Sequence, residues 1–491
     1  MHNRKICVYQ IMIHFPEFSW PDLFLFLFNS VYWITLIGIT IVLVVDNRNP
    51  VKTISWMLVL FFLPYVGIIL YVFFGQRYRK QKIISKKSIR NIENNPAYLY
   101  EELDPSLYPA ECTGLIEMFR NNNSHPVFSG NSVKLLTDGR EKFDCMFEDI
   151  RKARKHIHVN YYIFDQCKIG YELQHLLIEK AKEGIEVRVI YDDIGSWHTK
   201  QRFFREMREV GVQVYPFLKV LLPYLSPKFN YRNHRKIVVI DGEIAYTGGF
   251  NVADRYVTGG NFSFWRDSHI RVEGKAVYGL QTAFLIDWFF VSRKLLTSKY
   301  YFPDLSDQGD CLVQTVTSGP DTDWENIMQG IFTVLTNARK YVYIQTPYFL
   351  PNESLLTAMQ TVALSGVDVR LMVPAKSDTW VALKGMHSYL TEIMEAGVKV
   401  YFYQDGFLHS KSMVADDIVS TVGSTNLDYR SFEFNFEVNS FIYNEAFGKH
   451  MKEVFLKDQE HCRLIDLEEW VKRPRLVRWS ESICRLFGPL L

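Results

Sequence analysis

One phrase occurs twice in this chain. His234-x-Lys236-x4-Asp241-x6-Gly248-x2-Asn251 returns 175 positions later as His409-x-Lys411-x4-Asp416-x6-Gly423-x2-Asn426. The five residue types and every interval between them agree. At average residue usage, a single copy arises by chance in roughly one chain in ten thousand of this length. Two copies in register therefore constrain the fold to two related halves. They also point to one active site assembled from both.

The phrase has a readable local structure. His234 to Ile240 is β-branched and apolar, Asp241-Gly242 marks a tight turn, and Ile244 to Gly248 is apolar again. This spells strand, turn, strand. His409 to Ala415, Asp416-Asp417 and Ile418 to Val422 spell the same. Residues two apart on a strand share a face, so His234 and Lys236 are expected to point together, as are His409 and Lys411. Asp241 and Asp416 fall at the far end of the strand and take a structural role. Gly248-Gly249 and Gly423-Ser424 are expected to let the backbone come close to a ligand.

Two imidazoles, two ammonium groups and two amides suit a phosphodiester. One His can attack phosphorus to give a covalent phospho-histidine. The other can protonate the leaving alkoxide and later deprotonate the incoming alcohol. Lys236, Lys411, Asn251 and Asn426, with Ser424 beside the second copy, are the candidate groups for the non-bridging oxygens. No HExxH, no paired CxxC and no dense carboxylate cluster surrounds the histidines, so neither a metal nor another cofactor is expected. A lone strand His is ordinarily a core residue; the duplication turns that expectation toward catalysis.

The phrase resembles the HKD motif of the phospholipase D superfamily, and both copies match it in full. Tyr231-Arg-Asn-His-Arg-Lys236, Trp265-Arg-Asp267, Gln345-Thr-Pro-Tyr-Phe-Leu-Pro351 and Ser424-Thr-Asn-Leu-Asp-Tyr-Arg-Ser431 are similar to the bacterial cardiolipin synthase branch. So are Leu63-Pro-Tyr-Val-Gly67 and the closing Pro-Leu-Leu491. The resemblance runs from about residue 23 to the end of the sequence; Asn352 stands where that branch often has Asp. It implies a catalytic set of His234, Lys236, Asp241, His409, Lys411 and Asp416, with His234 as nucleophile and His409 as acid/base. It also implies a carboxylate orienting each imidazole. Glu437 is assigned to His409 and Asp267 to His234.

With 491 residues the chain exceeds one domain. A net charge of +2 provides no basic field for nucleic acid. Seven scattered cysteines fit a reducing compartment better than a disulfide framework. Hydrophobic content of 48% and aromatic content of 15% accompany two uncharged stretches, Leu23 to Val45 and Ile54 to Phe74. Each is long enough to cross about 30 Å of hydrocarbon, and the Pro50-containing segment Asp46 to Thr53 joins them as a turn. Buried core helices and a re-entrant hairpin are the alternatives. Arg77, Arg79, Lys80, Lys82, Lys86, Lys87 and Arg90 follow without an intervening acid. The positive-inside rule puts that flank, and the catalytic part, on the cytoplasmic side.

The expected architecture is α/β. Two pseudo-symmetric phospholipase D-like halves, residues 128–305 and 306–491, follow an N-terminal segment 1–22. Between them lie a two-helix transmembrane hairpin (23–45, 54–74) and a basic juxtamembrane segment and linker (75–127). Strand–helix alternation from Val133 and again from Cys311 supports the halves, whose sheets should lie side by side. The apolar stretches Val220 to Phe229 and Trp380 to Leu390 suit an acyl-chain entry or core packing. Leu476, Trp479, Ile483 and Leu486 recur at helical spacing among arginines, fitting an interfacial helix or ordinary packing.

The resemblance names a reaction. Two phosphatidylglycerol molecules give cardiolipin and glycerol in a membrane-bound phosphatidyl transferase of the bacterial cell membrane. The expected partners are an anionic phospholipid and the bilayer. With water as acceptor, the same site is a phospholipase D releasing phosphatidate. A nucleic-acid phosphodiesterase leaves the hairpin without a use, and a non-enzymatic membrane scaffold leaves both motifs without one.

Overall fold

The computed structural model describes residues 20–45, 50–63, 65–75, 103–122, 125–219 and 230–488. The basic run after the hairpin, the 220–229 stretch, residues 46–49 of the turn and the closing 489–491 lie outside them. The chain divides into two compact units, residues 1–76 and 77–491.

In the first unit, Trp20–Val45 is one helix of 26 residues, about 39 Å at 1.5 Å per residue. Within it, Leu23–Val45 is the one described helix long and apolar enough to cross a membrane. Ile54 to Phe74 does not form a single second span. A 13-residue helix, Pro50–Phe62, ends there. Tyr65 adopts a left-handed φ of 66°, and a short helix, Val66–Leu70, follows. The sequence places Pro64 at the break, and proline has no amide hydrogen with which to continue a helix. Leu43, Leu60 and Tyr71 form a small apolar cluster, and the Tyr65 hydroxyl donates to Asn29 Oδ1 at 2.8 Å.

The second unit is built on a 16-stranded sheet among the described residues. At its centre Val127–Leu136 runs antiparallel to Cys311–Ser318. Outward from the first of these lie His269–Glu273, Ile244–Gly248, Ile237–Ile240, His156–Tyr161, Glu186–Asp192 and Gln213–Phe217. Outward from the second lie Asn435–Tyr443, Val419–Gly423, Ser412–Ala415, Tyr341–Gln345, Asp368–Pro374 and Lys399–Tyr403, with Cys462–Leu464 at the edge. Apart from that extra edge strand the two orders correspond, so the halves sit side by side with a pseudo-twofold relation through the central pair.

Val127–Leu136 serves both halves. Its start pairs with Cys311–Ser318 and its end with His269–Glu273, across an irregularity between Phe128 and Asn131. Gly130 turns there at φ 72°. Buried Asn131 closes the gap, donating to the carbonyls of Phe128 (2.8 Å) and Cys311 (3.0 Å) and accepting from Ala276 N (2.7 Å). Fully buried Trp288, Phe284 and Leu280 of helix Val277–Ser292 join the cluster that straddles the seam. Each such side chain contributes about 1.5–3 kcal/mol. Asn352 explains its own departure from the family pattern. Its side chain accepts from Leu355 N at 3.0 Å and caps helix Glu353–Leu364, a role that Asn fills as well as Asp.

Candidate active site

Both motif hairpins close with the same turn. Asp241 and Gly242 have φ of 56° and 72°, and Asp416 and Asp417 have 52° and 62°. Glu243 N donates to Ile240 O and Ile418 N to Ala415 O, each at 3.0 Å. Positive φ at both central residues makes these type I′ turns, whose twist matches antiparallel strands. In its left-handed position Asp241 directs its carboxylate at three backbone amides, those of Arg154, Lys155 and His156, at 2.7–2.9 Å. Asp416 takes Arg339, Lys340 and Tyr341 at 2.6–2.8 Å. The motif aspartates thus pin the adjacent strand to the turn; their oxygens are engaged away from the histidines.

The histidines precede the strands. Regular pairing begins at Ile237 and Ser412, not at His234 and His409. The reason lies across the seam. Arg232–Asn233 pairs in parallel with Asn435-Phe436, and Phe407–Leu408 with Trp265-Arg266. Each short pairing runs on by one bond, His234 N to Phe436 O (2.9 Å) and His409 N to Arg266 O (2.7 Å). The next residue on each partner strand is a carboxylate. Glu437 therefore meets His234 Nδ1, at 2.9 and 3.0 Å from its two oxygens. Asp267 Oδ2 meets His409 Nδ1 at 2.6 Å. The expected assignment of these two carboxylates is reversed, because each half lends its acid to the other half's histidine.

Glycine and serine fit around these acids. A Cβ on Gly249 would stand 1.9 Å from Asp267 Oδ1, so this glycine makes room for a carboxylate, not for a ligand. Ser424, at the matching place, gives its hydroxyl to Glu437 and accepts from Val438 N at 3.0 Å. Asn435 Nδ2 also donates to Glu437, at 3.2 Å. Ser424 was expected at the phosphate; its hydroxyl instead holds the carboxylate behind the imidazole. Asn251 accepts from Ile163 N (3.1 Å) and donates to the Tyr256 hydroxyl (2.6 Å). Asn426 differs: its Oδ1 is buried and makes no hydrogen bond.

Burial sets the electrostatics. It pushes both imidazoles down to about 4, against the opposing pull of Glu437 at His234 and of Asp267 at His409. Each ring is then neutral at neutral pH, with its Nδ1 hydrogen on a carboxylate and Nε2 left for a substrate. Burial also opposes ionisation of Glu437, but its interaction with His234, joined by Lys236 and the Ser424 hydroxyl, outweighs burial and holds the carboxyl below its ordinary value. Burial lowers Lys236 to about 7 and Lys411 to about 8. Repulsion by Lys411 adds to the lowering of Lys236. Lys236 Nζ donates to the carbonyl of its own half's His234 at 2.6 Å, and Lys411 Nζ to that of His409. An arriving phosphate would relieve the mutual repulsion and restore the charges.

Other residues frame the pair. The Tyr162 ring lies edge-on to His234, centroids 4.9 Å apart. Trp265 and Tyr256 lie 5.5 and 5.9 Å from His409. Arg235, between the motif His and Lys, reaches Asp287 at 2.6 Å, which also accepts from Asn160 and Asn233. In the second half residue 410 is Ser. There Arg266, from the first half, reaches Asp458 at 2.7 Å, which also accepts from Gln345. These braces had no signal in spacing. Only the arginine inside the motif and the Asn160/Gln345 positions on matching strands hinted at them.

Two pseudo-equivalent halves, two carboxylate-held imidazoles and two lysines define a phospholipase D-type enzyme. The family described as cardiolipin synthase, PLD-like domain, matches residues 146–277 and 331–459, and the phospholipase D-nuclease N-terminal family matches 33–76. The chain is 41% identical to the major cardiolipin synthase of Bacillus subtilis, over 94% of its own length and 98% of that protein. It is 40% identical to the cardiolipin synthase of Geobacillus kaustophilus, over 96% and 95%. The chain belongs to the cardiolipin synthase family of the phospholipase D superfamily. Phosphatidylserine synthase of Haemophilus influenzae, at 14% identity, shares the fold with a TM-score of 0.59 over 77% of this chain and all of that one.

Proposed function

We propose that this enzyme transfers a phosphatidyl group between two phosphatidylglycerol molecules, giving cardiolipin and glycerol. The observation that carries the reading is the pair of imidazoles, each held at Nδ1 by a carboxylate from the opposite half. His234 Nε2 attacks phosphorus of the first lipid and forms a P–N bond as the P–O bond to glycerol breaks. His409, which takes up a proton as the anionic phosphate enters beside it, supplies that proton to the leaving oxygen. It then takes the proton from the hydroxyl of a second phosphatidylglycerol, whose oxygen displaces His234. Glu437 and Asp267 hold the tautomers and stabilise imidazolium as it forms. Lys236 and Lys411, with Asn426, meet the non-bridging oxygens.

The Leu23–Val45 helix supports an anchored enzyme that draws lipid from the bilayer. We assign a second membrane passage to the broken segment 50–75 and the cytoplasmic side to the catalytic unit, on the strength of the basic run Arg77 to Arg90. Residue-by-residue labelling of cysteine variants in sealed vesicles tests that orientation; labelling from both sides within the catalytic unit would overturn it.

Product analysis tests the reaction. Purified protein in phosphatidylglycerol vesicles without added metal should yield cardiolipin and glycerol in equal amounts. Phosphatidate as the main product would make water the acceptor, and no product would overturn the assigned donor.

A further inference from the structure

Helix Arg475–Arg485 is inside out by the standard of a soluble surface. Its acid is buried and its large apolar side chains face outward. Glu481 is 2% exposed. Arg473 grips both of its oxygens at 2.7 and 3.0 Å, and His387 Nδ1 lies at 3.4 Å. Arg485 bonds Glu392, and Cys484 is buried beside Gly385 of helix Trp380–Glu395. These pins fix the rotation of the helix. Leu476 (81% exposed), Trp479 (69%), Ile483 (42%) and Leu486 (76%) then form one outward stripe. Exposed Arg475 and Arg478 border it.

We propose that this stripe is a membrane-docking surface that seats the catalytic unit on anionic phospholipid. A stable protein does not leave such a row in water without a partner. Three features select the bilayer interface. Trp479 lies within the row, and tryptophan favours the headgroup boundary. The flanking arginines complement an anionic leaflet. A symmetric contact with a second copy would bring the same arginines together, like charge on like. The choice of anionic lipid rests on the function proposed above; the docking itself does not.

The test uses the full chain reconstituted in vesicles of equal phosphatidylglycerol and phosphatidylcholine, with brominated acyl chains as quencher. The emission of Trp479 is read as the difference between the native protein and Trp479→Phe. Docking predicts blue-shifted emission quenched by the brominated lipid. Arg475→Gln and Arg478→Gln should each weaken that contact about fivefold. Leu476→Glu with Leu486→Glu should abolish it while leaving the thermal unfolding profile unchanged. Trp479 emission that stays red and open to iodide in the vesicles would overturn the proposal. So would a Glu variant that splits a dimer in detergent without altering lipid quenching. No readout depends on turnover, so an error in the assigned reaction would leave the result interpretable.

Discussion

The two motif copies carry the same five residues at the same intervals, yet their surroundings differ. Glu437 stands behind His234 and accepts from Ser424 and Asn435 as well. Asp267 stands behind His409 at 2.6 Å, and a glycine occupies the place of the serine. Arg235 braces the first site from within its own motif, whereas the second borrows Arg266 from across the seam. Both Asn251 oxygen and nitrogen have protein partners; Asn426 has an orphaned oxygen. What is shared is what the proposed phosphate site between the halves requires. What differs is where two imidazoles can be given different tasks.

The sharpest way to break this comparison is to remove the imidazoles. His234→Ala and His409→Ala should each lower turnover about ten-thousand-fold. Only the enzyme retaining His234 should trap label from radioactive lipid; label trapped by His234→Ala alone would exchange the two roles. Next come the crossed acids. Glu437→Gln and Asp267→Asn should each cost about a hundred- to a thousand-fold in kcat, through loss of tautomer control. Retention of either rate within a few-fold would separate that acid from its imidazole. Gly249→Ala should approach the Asp267 loss because its Cβ meets the same carboxylate. Ser424→Ala should cost only about tenfold, since Asn435 remains on Glu437.

The motif aspartates should behave otherwise. Asp241→Ala leaves three backbone amides without their acceptor, and should lower stability by about 3 kcal/mol with kcat of the folded enzyme preserved. The less buried Asp416 should cost less. Denaturant titration beside steady-state rates checks both. A large kcat loss without destabilisation would put these carboxylates in the chemistry. The pH profile is the mildest probe. Because both imidazoles are depressed to about 4 and the reaction needs His234 neutral but His409 protonated, kcat/KM should be bell-shaped, rising as His234 loses its proton and falling as His409 does. Lys236 and Lys411 lose charge above about 7 and 8. Affinity for anionic lipid should therefore fall with rising pH in that range, and binding should take up protons. A flat KM across it would remove the lysines from phosphate contact.

Much of this could be read from residues. The repeat foretold two halves, and β-branched runs around Asp-Gly and Asp-Asp foretold the hairpins, because turn chemistry is local. Strands such as Tyr341–Gln345 fell where alternation placed them. What escaped was set by partners distant in sequence. Which acid serves which histidine depends on the pairings of Arg232–Asn233 with Asn435-Phe436 and of Phe407–Leu408 with Trp265-Arg266, and no interval along the chain encodes them. The broken helix after Phe62 was hidden by composition, since hydropathy counts Pro64 and Tyr65 as merely neutral, while backbone geometry does not.

The exchange of acids makes the chain its own obligate companion. A half expressed alone would carry an imidazole with no carboxylate and a carboxylate with no imidazole. Two copies of one half, joined as a symmetric pair, would restore both. Fusion of the halves removes the dependence on protein concentration and, more importantly, frees each side to change alone. A twofold dimer must keep identical histidines in identical settings; a single polypeptide can let one become the attacker and the other the proton carrier.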